Sequence, residues 1–391
     1  MTYLQALVIA LVQGVTELFP VSSLGHSVLI PAWIGGSWQT MVTQSSEQSS
    51  ESSFYLAYIV ALHCATALAL AWFFRADWIR IIRGFFRSLP RSVRESMQDR
   101  RLRLAVADKD ERLAWMIIFA TIPVGLTGVL LEHTFRVLFA KPTAAAVFLF
   151  INGLILLGAE ALRRSALRRK PAVAAAGRPA QAFAPAGTAE TAAAGAPGHA
   201  VAQGYSATRL YDSPGASSAP GGPGAPTSGA AGTPGPDGAR RPASHRKPAG
   251  GRDVADIEEA EESDTRLARL SYADGVLIGA SQILALLAGI SRSGVTMAGG
   301  LWRGLDHEDA ARFAFLLATP IILAAGVYKI PSLFGTAGQH IHGQVIVGVI
   351  VCGIAAYLSV RFLIRWFQTR TLTPFAIYCL IFGGISIIHF V

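Results

Sequence analysis

The chain has 391 residues, of which 52% are hydrophobic and only 15% charged, and its mean hydropathy is +0.42. Soluble domains carry about a quarter charged residues, so this composition excludes an ordinary soluble enzyme and points to a polytopic membrane protein. The net charge of +9 does not mark a nucleic-acid binder, because the basic residues gather in two loops without interleaved aromatics.

Residues 3–34 open the chain as an apolar stretch whose one formal charge is Glu17. Pro20 disfavours helix at Phe19, and Ser22 and Ser23 are good caps for a new helix. The stretch therefore reads as two half-length helices in a re-entrant hairpin. The first residues lack a basic region and a small-residue cleavage site, so no cleaved signal peptide is expected. Residues 37–53 read as an exposed polar loop. A span is expected over about 54–74, with His63 in its middle read as a satisfied core histidine. Residues 75–112 form a strongly basic loop that belongs in the cytoplasm. Spans follow at about 113–131 and 143–159, and the arginines from Arg163 to Arg169 mark the inside again.

Residues 163–265 form a linker rich in Ala, Gly and Pro, which reads as disordered and cytoplasmic. Its acidic end, DIEEAEESD, reads as a solvated helix start. The opening theme then returns in a second hairpin over 273–303, broken at Gly289-Ile290-Ser291-Arg292-Ser293-Gly294. Spans at about 313–328, 345–364 and 374–390 complete the chain. Two repeats thus emerge, residues 1–162 and 266–391, each a hairpin plus three spans. Three is odd, so the second hairpin enters from the side opposite the first, an inverted-topology repeat. A shift of 269 positions places Gln13 on Gln282, Ser22 on Ser291, Gly25 on Gly294 and Ser27 on Thr296. The fold class expected is all-α and polytopic. Cys64, Cys352 and Cys379 sit in apolar segments without metal-type spacing and read as inert thiols. His133, His307, His340 and His342 lie near span ends and read as solvated.

An ionisable residue inside a membrane marks function by default. The two breaks would gather Glu17, Ser22, Ser23 and His26 with Ser291, Arg292, Ser293 and Thr296. Hydroxyls, two helix N-termini and a guanidinium fork suit an anionic phosphate head. Glu17 and His26 add an acid–base pair, and Gln13 lies on the Glu17 face of its helix. The bland alternatives are an ion pair between Glu17 and Arg292 that only holds the fold, and serines that only cap helices.

QGVTELFPVSSLGH and AGISRSGVT, continued by FAFLLATP and TPFAIY, resemble the signature motifs of the bacterial undecaprenyl-diphosphate phosphatase family of the bacitracin-resistance type. The resemblance covers nearly all of the membrane part and none of the linker. The chain departs from the family at Gln13, where glutamate is frequent, at Ala288, where proline is usual, and at His63, where glutamine is usual. The resemblance implies hydrolysis of undecaprenyl diphosphate to the monophosphate and phosphate, recycling the carrier of peptidoglycan precursors. It also implies a divalent cation, Mg²⁺ or Ca²⁺, with Glu17 as a ligand, and a multi-pass protein of the bacterial inner membrane with an outward-facing site. Gln13 weakens any two-carboxylate metal site. In this reading Glu17 is the base or metal ligand, Ser23 the nucleophile or hydroxyl donor, His26 the acid and Arg292 the phosphate clamp. Gln13, Ser22, Ser27, Ser291, Ser293 and Thr296 bind substrate. The expected partners are the lipid, the bilayer and, as a candidate, a second copy in a homodimer. Another family of membrane lipid phosphatases uses Ser-Arg, five residues, then His; Ala298 stands where that His would be. A polyprenyl-phosphate carrier using the same residues is the rival reading, followed by a protein that only sequesters the lipid.

Overall fold

The computed structural model describes residues 1–47, 54–99, 104, 106–139, 141–176, 254–333 and 342–391. Met1–Gly177 and Arg252–Val391 fold as one unit. The middle of the expected linker, including its Gly/Pro-rich core, lies outside the described residues. Among those described, every regular element is helical. The first hairpin is α1 (Tyr3–Thr16) and α2 (Ser23–Ile34), followed by α3 (Gly36–Glu47), α4 (Phe54–Phe73), α5 (Arg75–Asp99), α6 (Lys109–Phe139) and α7 (Pro142–Ala176). After residue 253 come α8 (Val254–Leu267), α9 (Tyr272–Ala280) with a 3-10 turn over Ser281–Leu286, α10 (Arg292–Trp302), α11 (His307–Leu333), α12 (His342–Thr369) and α13 (Thr373–Phe390).

Among the described residues, five helices carry stretches long and apolar enough to cross a membrane: Lys109–Leu131, Pro142–Arg168, His307–Val327, His342–Thr369 and Thr373–Phe390. Helices α4 and α5, which meet at a bend of 83°, make a sixth candidate only when taken together. The shorter α1, α2 and α9 fall below spanning length. The chain is thus a polytopic helical membrane protein.

Helices of the two halves alternate in space: α1 packs on α12, α7 on α13, and α4 on both α11 and α12. Small residues permit this. A Cβ at Gly14 would stand 2.6 Å from the Cys352 carbonyl oxygen, so α1 and α12 touch backbone to backbone there. Without a hydrophobic force between helices in lipid, such close packing supplies the cohesion. The core runs through Leu70, Phe74, Phe313, Phe315, Leu316 and Phe367, all fully buried or nearly so.

Several expectations are corrected. Residues 36–47 are helix rather than loop, because Met41 and Val42 reach the core of the first hairpin. The basic segment from Arg75 is helical to Asp99. The acidic segment is not simply solvated: in α8, Ser263 and Asp264 are buried. Arg312 donates to Asp264 at 2.9 and 2.8 Å and pairs with Asp77 at 3.1 Å, while Arg80 bonds both carboxylates at 2.7 Å. This network ties α8 to α5 and α11. His307 is buried, not solvated: Arg163 donates to its Nδ1 at 2.7 Å, so Nε2–H donates to Glu160 at 2.6 Å.

Candidate active site

The two hairpin breaks meet. Gly289, with φ +114°, has no room for a Cβ, which would lie 2.4 Å from the Ala145 carbonyl oxygen. A Cβ on Gly25 would stand 3.0 Å from the Gly289 Cα, so the breaks touch directly. Each break starts its helix in the same way. Ser22 Oγ accepts from the Gly25 N–H at 3.2 Å, and Ser291 Oγ accepts from the Gly294 N–H at 3.1 Å. These serines are N-caps, and the match at a spacing of 269 residues repeats the sequence echo in local structure. Ser22 holds φ +67°, the one non-glycine with positive φ among the described residues. That conformation costs about 1–3 kcal/mol and persists where neighbours fix it. Here the cap bond does so, together with His26 Nδ1–H donating to the Ser22 carbonyl at 2.7 Å.

Asn152, fully buried in α7, joins the breaks to each other. Its Nδ2 donates to the Pro20 carbonyl at 3.0 Å, and its Oδ1 accepts from the Ser291 N–H at 3.0 Å. Asn152→Leu removes both bonds, leaving the Ser291 N–H unpaired and the Pro20 carbonyl with only the weak Cys379 thiol, at about 1–3 kcal/mol for the lost N–H partner. Thermal unfolding in detergent reads the loss, and turnover falls with it because both helix starts lose their register.

Glu17 sits where α1 ends, buried at 7% exposure. Its two oxygens divide the surrounding donors. Oε1 accepts from the Arg292 guanidinium. Oε2 accepts from the Ser23 hydroxyl and from Gln13 Nε2, the latter at 2.8 Å. The structure therefore brings together Gln13, Glu17, Ser23 and Arg292, residues up to 279 positions apart (292 − 13). Ser291 and Ser293 touch at 3.0 Å and donate to the Phe19 carbonyl at 3.3 and 3.2 Å, beside this cluster.

Three expected site residues stand differently. The Thr296 hydroxyl donates to the Arg292 carbonyl at 2.7 Å, a bond inside its own helix. Ser27 is engaged through its carbonyl, which accepts from Tyr55 O–H at 2.8 Å, while its hydroxyl has no partner among the described residues. His26 is not bonded to Glu17. With Nδ1–H spent on Ser22, its Nε2 accepts from Tyr378 O–H at 2.7 Å, and the ring stacks on Tyr378 and Phe382.

His63, read from the sequence as a core histidine, belongs to the cluster. Its Nδ1 is 2.8 Å from the Ile59 carbonyl and must donate there, so Nε2 faces the site. That atom lies 3.3 Å from Glu17 Oε2 and 3.3 Å from Gln13 Nε2. His63→Leu removes this polar neighbour and lowers turnover about tenfold, the scale of one charged hydrogen bond. His63→Gln, which can still hydrogen-bond at that spot, retains most of it; steady-state kinetics on the two variants checks this. Its place in mid-span, and at a position where the resembling family usually has glutamine, were the sequence signals for it. Asn152 and Tyr378 gave none beyond being polar in an apolar helix.

Hard oxygen donors suit Mg²⁺ or Ca²⁺. The site offers one carboxylate, Glu17, and the Gln13 Oε1, which is buried with no partner among the described residues. Those residues contain no cluster of three His, Cys, Asp or Glu that could cage an ion. The donor set therefore fits a cation held jointly by protein and phosphate oxygens, the usual arrangement for Mg²⁺.

A buried carboxylate, hydroxyl and guanidinium thus meet where α1 ends and α2 and α10 begin, in a polytopic helical membrane protein. The family profile described as Bacitracin resistance protein BacA matches residues 6–198 and 252–385. The chain belongs to that family. It is 50% identical over 390 residues to Undecaprenyl-diphosphatase 2 of Frankia alni, covering 100% of this chain and 98% of that one. It is 46% identical to Undecaprenyl-diphosphatase of Mycolicibacterium paratuberculosis, covering 99% and 97%. It is also 32% identical to Undecaprenyl-diphosphatase 2 of Chromobacterium violaceum, covering 99% of each chain.

Proposed function

We infer that this chain is an undecaprenyl-diphosphatase, an integral membrane hydrolase that converts undecaprenyl diphosphate to undecaprenyl phosphate and inorganic phosphate. It thereby returns the lipid carrier to peptidoglycan synthesis and confers bacitracin resistance. The observation that carries this reading is Glu17 holding the Ser23 hydroxyl on one oxygen and the Arg292 guanidinium on the other. A hydroxyl donating to a buried carboxylate is an activated nucleophile with its base. A guanidinium fork recognises phosphate oxygens in bidentate fashion.

The terminal phosphate takes Arg292 from Glu17 and lies against the starts of α2 and α10, where free backbone N–H groups favour an anion. Ser23 Oγ bonds to the terminal phosphorus as Glu17 takes its proton, the bridging P–O bond breaks, and undecaprenyl phosphate leaves. Glu17 gives that proton up to solvent, takes one from the water that displaces phosphate from Ser23, and returns it to Ser23 Oγ as the Oγ–P bond breaks. His26 is the acid for the leaving oxygen in its imidazolium form, giving up the proton from Nε2, the atom that accepts from Tyr378 when the ring is neutral. A bound Mg²⁺ or Ca²⁺, held by Glu17 and Gln13 Oε1, would draw negative charge from the diphosphate. Arg292→Ala is expected to raise KM and lower kcat together, and Arg292→Lys to restore neither fully, since an ammonium lacks the planar fork.

The same reading includes two re-entrant hairpins in an inverted repeat, set in the bacterial inner membrane with the site facing outward. The matching caps at Ser22 and Ser291 support the repeat, and the arginine-rich α5 and the end of α7 support the orientation. A membrane-impermeant maleimide applied to intact cells should label Thr40→Cys and spare Arg94→Cys; the opposite pattern reverses the topology. The homodimer belongs to this proposal too, and crosslinking in native membranes reads it.

A further inference from the structure

Helix α5 has two unlike faces, and only one is used by the protein. The inner face, with Asp77, Ile81, Ser88 and Ser92 buried, packs on α6. There Trp115 Nε1–H donates to Ser88 Oγ at 2.9 Å, and Arg91 pairs with Glu111. On the opposite face Ile79, Ile82, Phe86, Val93 and Met97 form one stripe at helical spacing, with Phe86 63% and Met97 78% exposed. Arg83, Arg87 and Arg94 run along one side of it. Of these three, Arg87 alone has an ion pair among the described residues, with Asp108 at 3.8 Å between two well-exposed side chains.

The helix leaves the α4 span at 83°, so if α4 crosses the bilayer, α5 runs close to the membrane plane. A basic amphipathic helix in that attitude sinks its apolar face into the boundary between headgroups and acyl chains. We propose that the outer face of α5 is a lipid-docking surface that binds the anionic leaflet at the arginine-rich end of α4. Ile79, Ile82, Phe86, Val93 and Met97 enter the acyl boundary, and Arg83, Arg87 and Arg94 contact lipid phosphates. Charge complementarity selects this occupant. A second copy docked symmetrically on the stripe would bring the same arginines toward one another. The inner face fixes the helix to α6 and, through Asp77 and Arg80, to α8 and α11, so the docked leaflet bears on a rigid part of the fold.

The test uses the full chain reconstituted in vesicles of phosphatidylcholine, with and without phosphatidylglycerol. A spin label on Phe86→Cys, with Cys64→Ala removing the partly exposed native thiol, reports collision with oxygen in lipid and with a nickel chelate in water. The expected result is strong oxygen and weak nickel collision, with Met97→Cys following once phosphatidylglycerol is present. Each of Arg83→Gln, Arg87→Gln and Arg94→Gln should weaken the response to phosphatidylglycerol by about fivefold, the worth of one basic residue at a charged leaflet. Strong nickel collision at Phe86→Cys in both lipids overturns the proposal. So does spin–spin broadening between labels on two copies, which would make the face a protein interface, and so does a response to phosphatidylglycerol that survives removal of all three arginines.

Discussion

Glu17→Gln lowers turnover by about 10²–10⁴-fold, the contribution typical of a general base, and changes affinity for undecaprenyl diphosphate far less. The substitution keeps the volume and removes the charge. Every group around Glu17 in the structure is a donor or can act as one: the Ser23 hydroxyl, Gln13 Nε2, the Arg292 guanidinium and His63. An amide in this place turns an NH₂ toward one of them and cannot take the Ser23 proton. Arg292 still meets the phosphate, so binding survives. His26→Ala should likewise reduce turnover more than affinity. Steady-state kinetics in detergent, with lipid binding measured separately, distinguishes these effects. Near wild-type turnover in Glu17→Gln would remove the base from the account.

Arg312→Ala should destabilise the protein by about 3–5 kcal/mol, the cost of breaking a buried ion pair from one side. Arg312 is 5% exposed and is shared by Asp77 and Asp264, both nearly fully buried. Without it Arg80 is left to face both carboxylates. Burial works against the charge on Arg80, and Asp77 and Asp264 more than offset it, so its pKa stays above the ordinary guanidinium value. It cannot neutralise both carboxylates by itself. Arg87, whose side chain is 61% exposed in its pair with the 43% exposed Asp108, gives the control. Arg87→Ala should cost much less, since solvated pairs contribute little. Thermal unfolding midpoints of the two variants make the comparison.

The central site was legible because charge in an apolar segment is conspicuous. Glu17 and Arg292 stand out in any window, and Ser22 and Ser291 follow as caps at the breaks beside them. Asn152 was not legible, because its partners are the backbone of Pro20 and Ser291, 132 and 139 residues away, and backbone partners leave no mark in a sequence. His63 was misjudged for a similar reason: its neighbour Gln13 lies 50 positions away on another helix. His26 was found, but its partner Tyr378, 352 residues distant, was not. In the fold, each apolar run that read as a span overlaps one helix: α4, α6, α7, α11, α12 or α13. Apolar length missed α5 as a helix and the burial of α8, where Arg, Asp and Glu look solvated one at a time and are buried only when Asp77, Asp264 and Arg312 meet.

Phosphate release from undecaprenyl diphosphate by the purified, reconstituted chain tests the central claim most directly, with the Glu17→Gln variant alongside. The account predicts stoichiometric inorganic phosphate and undecaprenyl phosphate from the wild type, and release slowed by about 10²-fold or more in the variant. No phosphate from a correctly folded wild type, together with movement of labelled polyprenyl phosphate between leaflets, would contradict it and make the same residues the binding site of a carrier.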